Sequence, residues 1–145
     1  MKGIHAAVAV ALLTISPAFA GPYGDDLTRC LVDHSSAEDK TTLVKWMFVA
    51  MSRHPSVSTL TKVTNNDVEK HNKEAAELFT RLLTQTCVDP SRKAIKYEGA
   101  TAIQGAFQVL GQVAAGELFA NPDVAAVMGG LDKYLDAKKL EALSN

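Results

Sequence analysis

Gly99 to Ala120 reads Gly-Ala-Thr-Ala-Ile-Gln-Gly-Ala-Phe-Gln-Val-Leu-Gly-Gln-Val-Ala-Ala-Gly-Glu-Leu-Phe-Ala, with one charged side chain, Glu117. At about 100° per residue, Ile103, Ala106, Phe107, Leu110, Val113, Ala114 and Leu118 share one helical face. Gln104, Gln108 and Gln112 recur every four residues on the opposite face. Gly105, Gly111 and Gly116 each weaken an isolated helix by roughly 1 kcal/mol relative to alanine, so packing has to hold this one. The stretch is expected to be the central helix, with its apolar face in the core. Its glutamine face is expected to be covered by the C-terminal helices or, as a second reading, to form an interface with another chain. Gly111, at the edge between the faces, is read as a point of close approach that leucine would overpack.

Outward from this helix, the chain breaks into further helical segments. Asn121 and Pro122 form an N-cap and first helical position, followed by an apolar turn to Met128. After Gly129-Gly130, residues 131–143 read as a last amphipathic helix with Leu131, Tyr134, Leu135 and Leu140 inward. On the other side, Ser91–Glu98 is a short basic helix after an Asp89-Pro90 start. A long helix runs from Asn66-Asp67 to about Thr86, with Val68, Ala75, Leu78, Phe79, Leu82 and Leu83 on one face. Glu69 with Lys73, and Glu77 with Arg81, are expected i,i+4 pairs on its other face. Ser36 with Asp39 marks the start of a helix to Arg53, so apolar around its circumference that burial against several neighbours is expected. Tyr23–Val32 is a first, short helix. No strand-like alternation is present. The reading is all-α: a single-domain irregular helical bundle of five to seven helices, with one disulfide and its central helix at about 99–120.

Residues 1–20 have the form of a cleaved export signal: Lys2, the apolar run Ala6–Ile15, Pro17, and the small-x-small motif Ala18-Phe19-Ala20. The domain is then residues 21–145, and the destination is the periplasm or, second, the medium. Gly21 would lead, with no cysteine there to take a lipid. No later stretch reads as a transmembrane anchor, because the three glutamines of 99–120 would sit at membrane depth. The formal net charge of −1 argues against a nucleic-acid partner.

Cys30 and Cys87 are the only cysteines. In an exported chain such a pair reads as a disulfide. It closes a loop of about 57 residues, worth roughly 4 kcal/mol in the chain-entropy model. Cys-x-x-Cys spacing, the usual mark of a redox dithiol, is absent.

Catalytic signatures are also absent: there is no Gly-x-Ser-x-Gly, phosphate loop or His-Glu-x-x-His. Asp67, His71 and Glu74 share one side of a helix, but one helix supplying every ligand makes an open metal site, so no metal and no cofactor is expected. Arg92, Lys93 and Lys96, beside Tyr97, form a basic patch suited to an acidic partner and join the three glutamines as candidate interface residues. Trp46, Met47, Phe48, Phe79 and Phe107 are either core or the lining of an apolar pocket. The order of Cys30, Trp46, Cys87 and the run Arg92–Lys96 resembles small exported helical proteins of the bacterial acid-stress chaperone type, as far as about Tyr97. The stretch beyond has no counterpart there, and no site residue is carried over. The expected function is non-catalytic binding of another protein of the bacterial envelope, as chaperone, inhibitor or accessory subunit. The alternatives are a carrier of a small apolar ligand and, third, an enzyme with a dispersed site.

Overall fold

A computed structural model describes residues 21–144. The expected export signal lies outside these residues. The described chain is all-α: α1 (Pro22–His34), α2 (Ala37–Met51), α3 (Asn65–Arg81), α4 (Val88–Glu98), α5 (Ala100–Phe119), α6 (Pro122–Gly129) and α7 (Ala137–Glu141). A π turn at Leu82–Thr86 prolongs α3, and short 3-10 turns lie at Ser58–Leu60, Gly130–Tyr134 and Ala142–Ser144.

Helix starts follow local chemistry. Ser36 Oγ accepts from Asp39 N (3.1 Å), and Asp39 Oδ2 accepts from Ser36 N (2.9 Å), a reciprocal cap for α2. Thr64 and Asp67 repeat that box on α3, two residues ahead of the start read from Asn66. Arg81 does not pair within α3. Its Nη2 donates to Asp39 Oδ1 at 2.7 Å, tying the end of α3 to the start of α2. Gly21, the N-cap of α1, has no side chain, and Glu98 supplies the missing acceptors. Its Oε1 accepts from Tyr23 N (2.9 Å) and its Oε2 from Gly24 N (2.8 Å). A Cβ at Gly21 would meet the Glu98 carboxylate, so a larger residue there would have to displace it from these hydrogen bonds. Gly99, at φ 78°, turns the chain from α4 into α5.

The core gathers Leu27 and Leu31 of α1, Leu43 of α2, Leu78 of α3, Leu82, Cys87, Ala94 of α4, and Ala102, Ala106, Leu110 and Ala114 of α5. Helix α5 packs on α1, α2 and α4 and is the central element. Its buried stripe is three alanines around one leucine, small enough for α1 to come close over Gly24, Leu27 and Leu31. The Cys30–Cys87 disulfide is formed across a sequence separation of 57 and ties α1 to the corner between the π turn and α4.

Three expectations are corrected. Gln104, Gln108 and Gln112 are exposed, because the C-terminal helices do not fold back over them. The last amphipathic helix is instead a 3-10 turn and the five-residue α7, and Leu131 (62% exposed) and Tyr134 (85%) point to solvent. Helix α2 is not enclosed. Only Leu43 and Val49 are buried along it, while Phe48 and Met51 are more than half exposed.

The glycines of α5 do not mark close approach. A Cβ at Gly105 meets nothing within 4 Å, and one at Gly111 meets only Met47 Sδ at 3.9 Å. Gly105→Ala should therefore raise stability by about 0.5–1 kcal/mol in urea unfolding, and Gln108→Lys should change it by no more than about 0.5 kcal/mol. A larger loss with lysine would mean that the glutamine face is covered within the monomer.

Burial raises the pKa of Asp39, but hydrogen bonds from Ser36 and Arg81 outweigh it and hold the carboxyl below its ordinary 3.8. A carboxylate whose pKa is depressed by folding stabilises the fold above its unfolded value, and that contribution is lost as pH falls through the folded pKa. Asp39→Asn should cost about 1 kcal/mol at pH 7, and its deficit against the parent should shrink in acid, below the ordinary carboxylate range. A deficit independent of pH in denaturant melts would assign the loss to shape alone.

Candidate functional site

An apolar groove lies on the surface between α2 and α5. The two helices run in opposite directions, since Lys40 meets Glu117 and Met47 meets Gly111. The Lys40 Nζ to Glu117 Oε1 ion pair, at 2.6 Å, joins the first turn of α2 to the last turns of α5. Beyond it the facing residues on α5 are small: Gly111 and Ala115 leave space where large side chains would close the seam.

The larger part of the groove, about 720 Å³, lies among Val44, Trp46, Met47, Phe48 and Met51 of α2 and Ala115, Leu118 and Phe119 of α5. An adjoining part, about 500 Å³, shares Trp46, Met47 and Ala115 and continues over Phe79 and Phe107 to Gln104, Gln108 and Gln112. A third depression, about 410 Å³, carries the apolar surface from Phe48 and Met51 to Val57 and Leu60. All three are open to solvent along their length.

The floor is rigid. The Trp46 Nε1–H donates to Asn72 Oδ1 at 3.0 Å, so the polar tip of the ring is satisfied by α3. The Trp46 ring meets Phe79 edge-on at 5.7 Å, and Phe79 lies tilted on Phe107 at 4.4 Å. These rings link α2, α3 and α5. The walls are adaptable, because Met47 and Met51 are flexible and polarizable. The glutamine amides at one edge make no hydrogen bond among the described residues. Lys45, on the wall of the larger part, has no ion pair among them either.

The structure thus gathers Trp46, Met47, Phe48, Phe79 and Phe107 around one surface and adds the three glutamines to its edge. Met51 and Phe119 belong to it as well, and so does Leu118, which the sequence reading placed on the core face of the central helix. The basic residues do not join them. Arg92 pairs with Asp89 at 3.0 Å, Lys96 stands 5.0 Å over the Tyr97 ring, and Lys93 is exposed on α4, away from the groove.

Two sets of metal-type residues are occupied otherwise. Hydrogen bonds from Thr64 hold the Asp67 carboxylate in the cap of α3 and lower its pKa, while His71 Nδ1 meets Glu74 Oε2 at 2.9 Å. His34, four residues after Cys30, lies beside the disulfide, its Nδ1 2.9 Å from Cys30 O. The ligand atoms of Cys30, His34 and Cys87 fall within 4.8 Å of one another, but both sulfurs are bonded to each other. No described helix is long and apolar enough to cross a membrane. Compared with known family models, curated proteins and solved structures, the chain matches none, and the groove itself carries the functional argument.

Proposed function

We propose that this chain is a non-catalytic binding protein of the bacterial envelope, periplasmic by preference, that receives an apolar helical segment of another protein in the α2–α5 groove. The observation that carries the reading is the groove: open and elongated, with a fixed aromatic floor, methionine walls and a glutamine edge. Amphipathic helices dock in such grooves through anchors at i, i+3, i+4 and i+7. Export is supported by the formed disulfide and by the signal-like residues 1–20.

Carriage of a small apolar ligand is the second reading, favoured by the volume near Trp46. Ligand pockets, however, enclose most of the ligand surface, and this groove is open along its length.

Trp46 is the only tryptophan and stands where both parts of the groove meet. Titration with a synthetic apolar amphipathic helix should move its emission to the blue and saturate, and Phe48→Asp or Gly111→Leu should abolish the change. A response to a long-chain fatty acid alone would favour the carrier. Emission of the dilute, monomeric protein that is indifferent to the peptide would remove the helix-binding reading.

A further inference from the structure

The chain carries a second unpartnered apolar surface, its own C-terminal segment. Val127 is 80% exposed, Met128 59%, Leu131 62% and Leu135 49%. Apart from the corner where α6 leaves α5, no helix of the bundle packs substantially against this segment. None of these side chains lines the groove, although α6 begins at Pro122, three residues after Phe119 on the groove wall.

From these observations we infer that the groove is a self-association site: the α6 segment of a second copy lies in the α2–α5 groove of the first, and the exchange is reciprocal. The inference rests on the groove reading above and names its occupant.

Three features select a second copy. First, the corner is fixed. Asn121 Oδ1 accepts from Asp123 N at 2.9 Å, Pro122 follows at the first helical position, and with this corner formed Val127 and Met128 lie outside the groove of their own chain. Entry into its own groove would break this cap, whereas entry into a neighbour's groove leaves it intact.

Second, the surfaces match in pattern and charge. Val124, Val127 and Met128 fall at i, i+3 and i+4 on α6, three anchors at the spacing of a helix in a groove, and Leu131 follows in the 3-10 turn after it. Asp123 and Asp132 flank that face, and neither has an ion pair among the described residues. Lys45 on the wall of the groove supplies the opposite charge.

Third, each copy offers both halves, so a two-fold pair makes the contact twice. Reciprocity is what a segment of this length requires to approach the roughly 1,600 Å² of a standard interface.

The test uses the bridged full chain and two variants at exposed positions, Val127→Asp in the segment and Phe48→Asp in the groove. Sedimentation should show a dimer for the parent and association at least about tenfold weaker for each variant alone. Mixing the two variants should give association tighter than either variant alone and weaker than the parent, because the intact segment of one meets the intact groove of the other in one of the two contacts. That recovery is specific to a segment-to-groove exchange. A parent that stays monomeric at about 100 µM would overturn the inference, and so would a mixture no tighter than its components. If the parent is monomeric while Trp46 still responds to the synthetic helix, only the second copy as occupant is lost. If Trp46 responds to neither, the groove reading falls as well.

Discussion

Reducing the Cys30–Cys87 bridge should lower the free energy of unfolding by roughly 4 kcal/mol, the entropy of closing a loop of this size in the unfolded chain. For a domain stabilised by about 5–15 kcal/mol, that is a large fraction of the whole. Cys87→Ser should cost more than reduction alone. Cys87 is 0% exposed, and serine would place a hydroxyl among Leu27, Leu31 and Leu82 in the same buried cluster. The bridge also joins elements that few other covalent or charged contacts hold: α1 on one side, and on the other the corner where the π turn gives way to α4. Guanidinium unfolding of the oxidised and reduced parent, beside Cys87→Ser under oxidising conditions, measures both effects. Equal midpoints for the oxidised and reduced parent would show that the bridge does not stabilise the fold.

Leu110→Ala should be about as costly, at roughly 2–5 kcal/mol. Leu110 is 0% exposed and is the one large side chain in the buried stripe of α5, between Ala106 and Ala114. Its small neighbours cannot expand to fill the space it leaves, so the cavity persists. Leu118→Ala, two turns later on the same helix, should cost less than about 1 kcal/mol, since Leu118 is 39% exposed at the wall of the groove. Both leucines belong to one apolar face in the sequence, so the comparison isolates the effect of burial from that of residue type. Urea unfolding of the two variants provides it, and equal losses would contradict the packing of α5 described above.

The sequence left Trp46, Met47, Phe48, Phe79 and Phe107 as either core or pocket lining, because the residues of the groove are the same kinds that build cores. Phe48 and Met51 sit in a helix whose apolar side chains cover most of its circumference, and that pattern has no feature to separate a buried side from an open one. The informative signal was the glutamine stripe. Three neutral polar residues stand where lysine and glutamate are usual, and they line an edge of the groove, although the chain itself does not cover them. On α4, Arg92 pairs locally with Asp89 and Lys96 lies over the Tyr97 ring, so these basic residues stand apart from the groove.

What the sequence determined by itself is what short-range chemistry controls. Ser36 with Asp39, and Asn121 with Pro122, mark helix starts because a cap is a hydrogen bond between residues two to three positions apart. The all-α class follows from a 3.6-residue period that no strand satisfies, and the bridge from a lone pair of cysteines. Tertiary structure alone decided which apolar faces are covered. Hydrophobic attraction is not directional, so Leu110, Leu118 and Leu131 read alike until the positions of their neighbours are known. Leu110 falls in the core with Leu27 and Leu31 of α1, Leu118 at the open seam with α2, and Leu131 in the turn after α6, largely exposed to solvent.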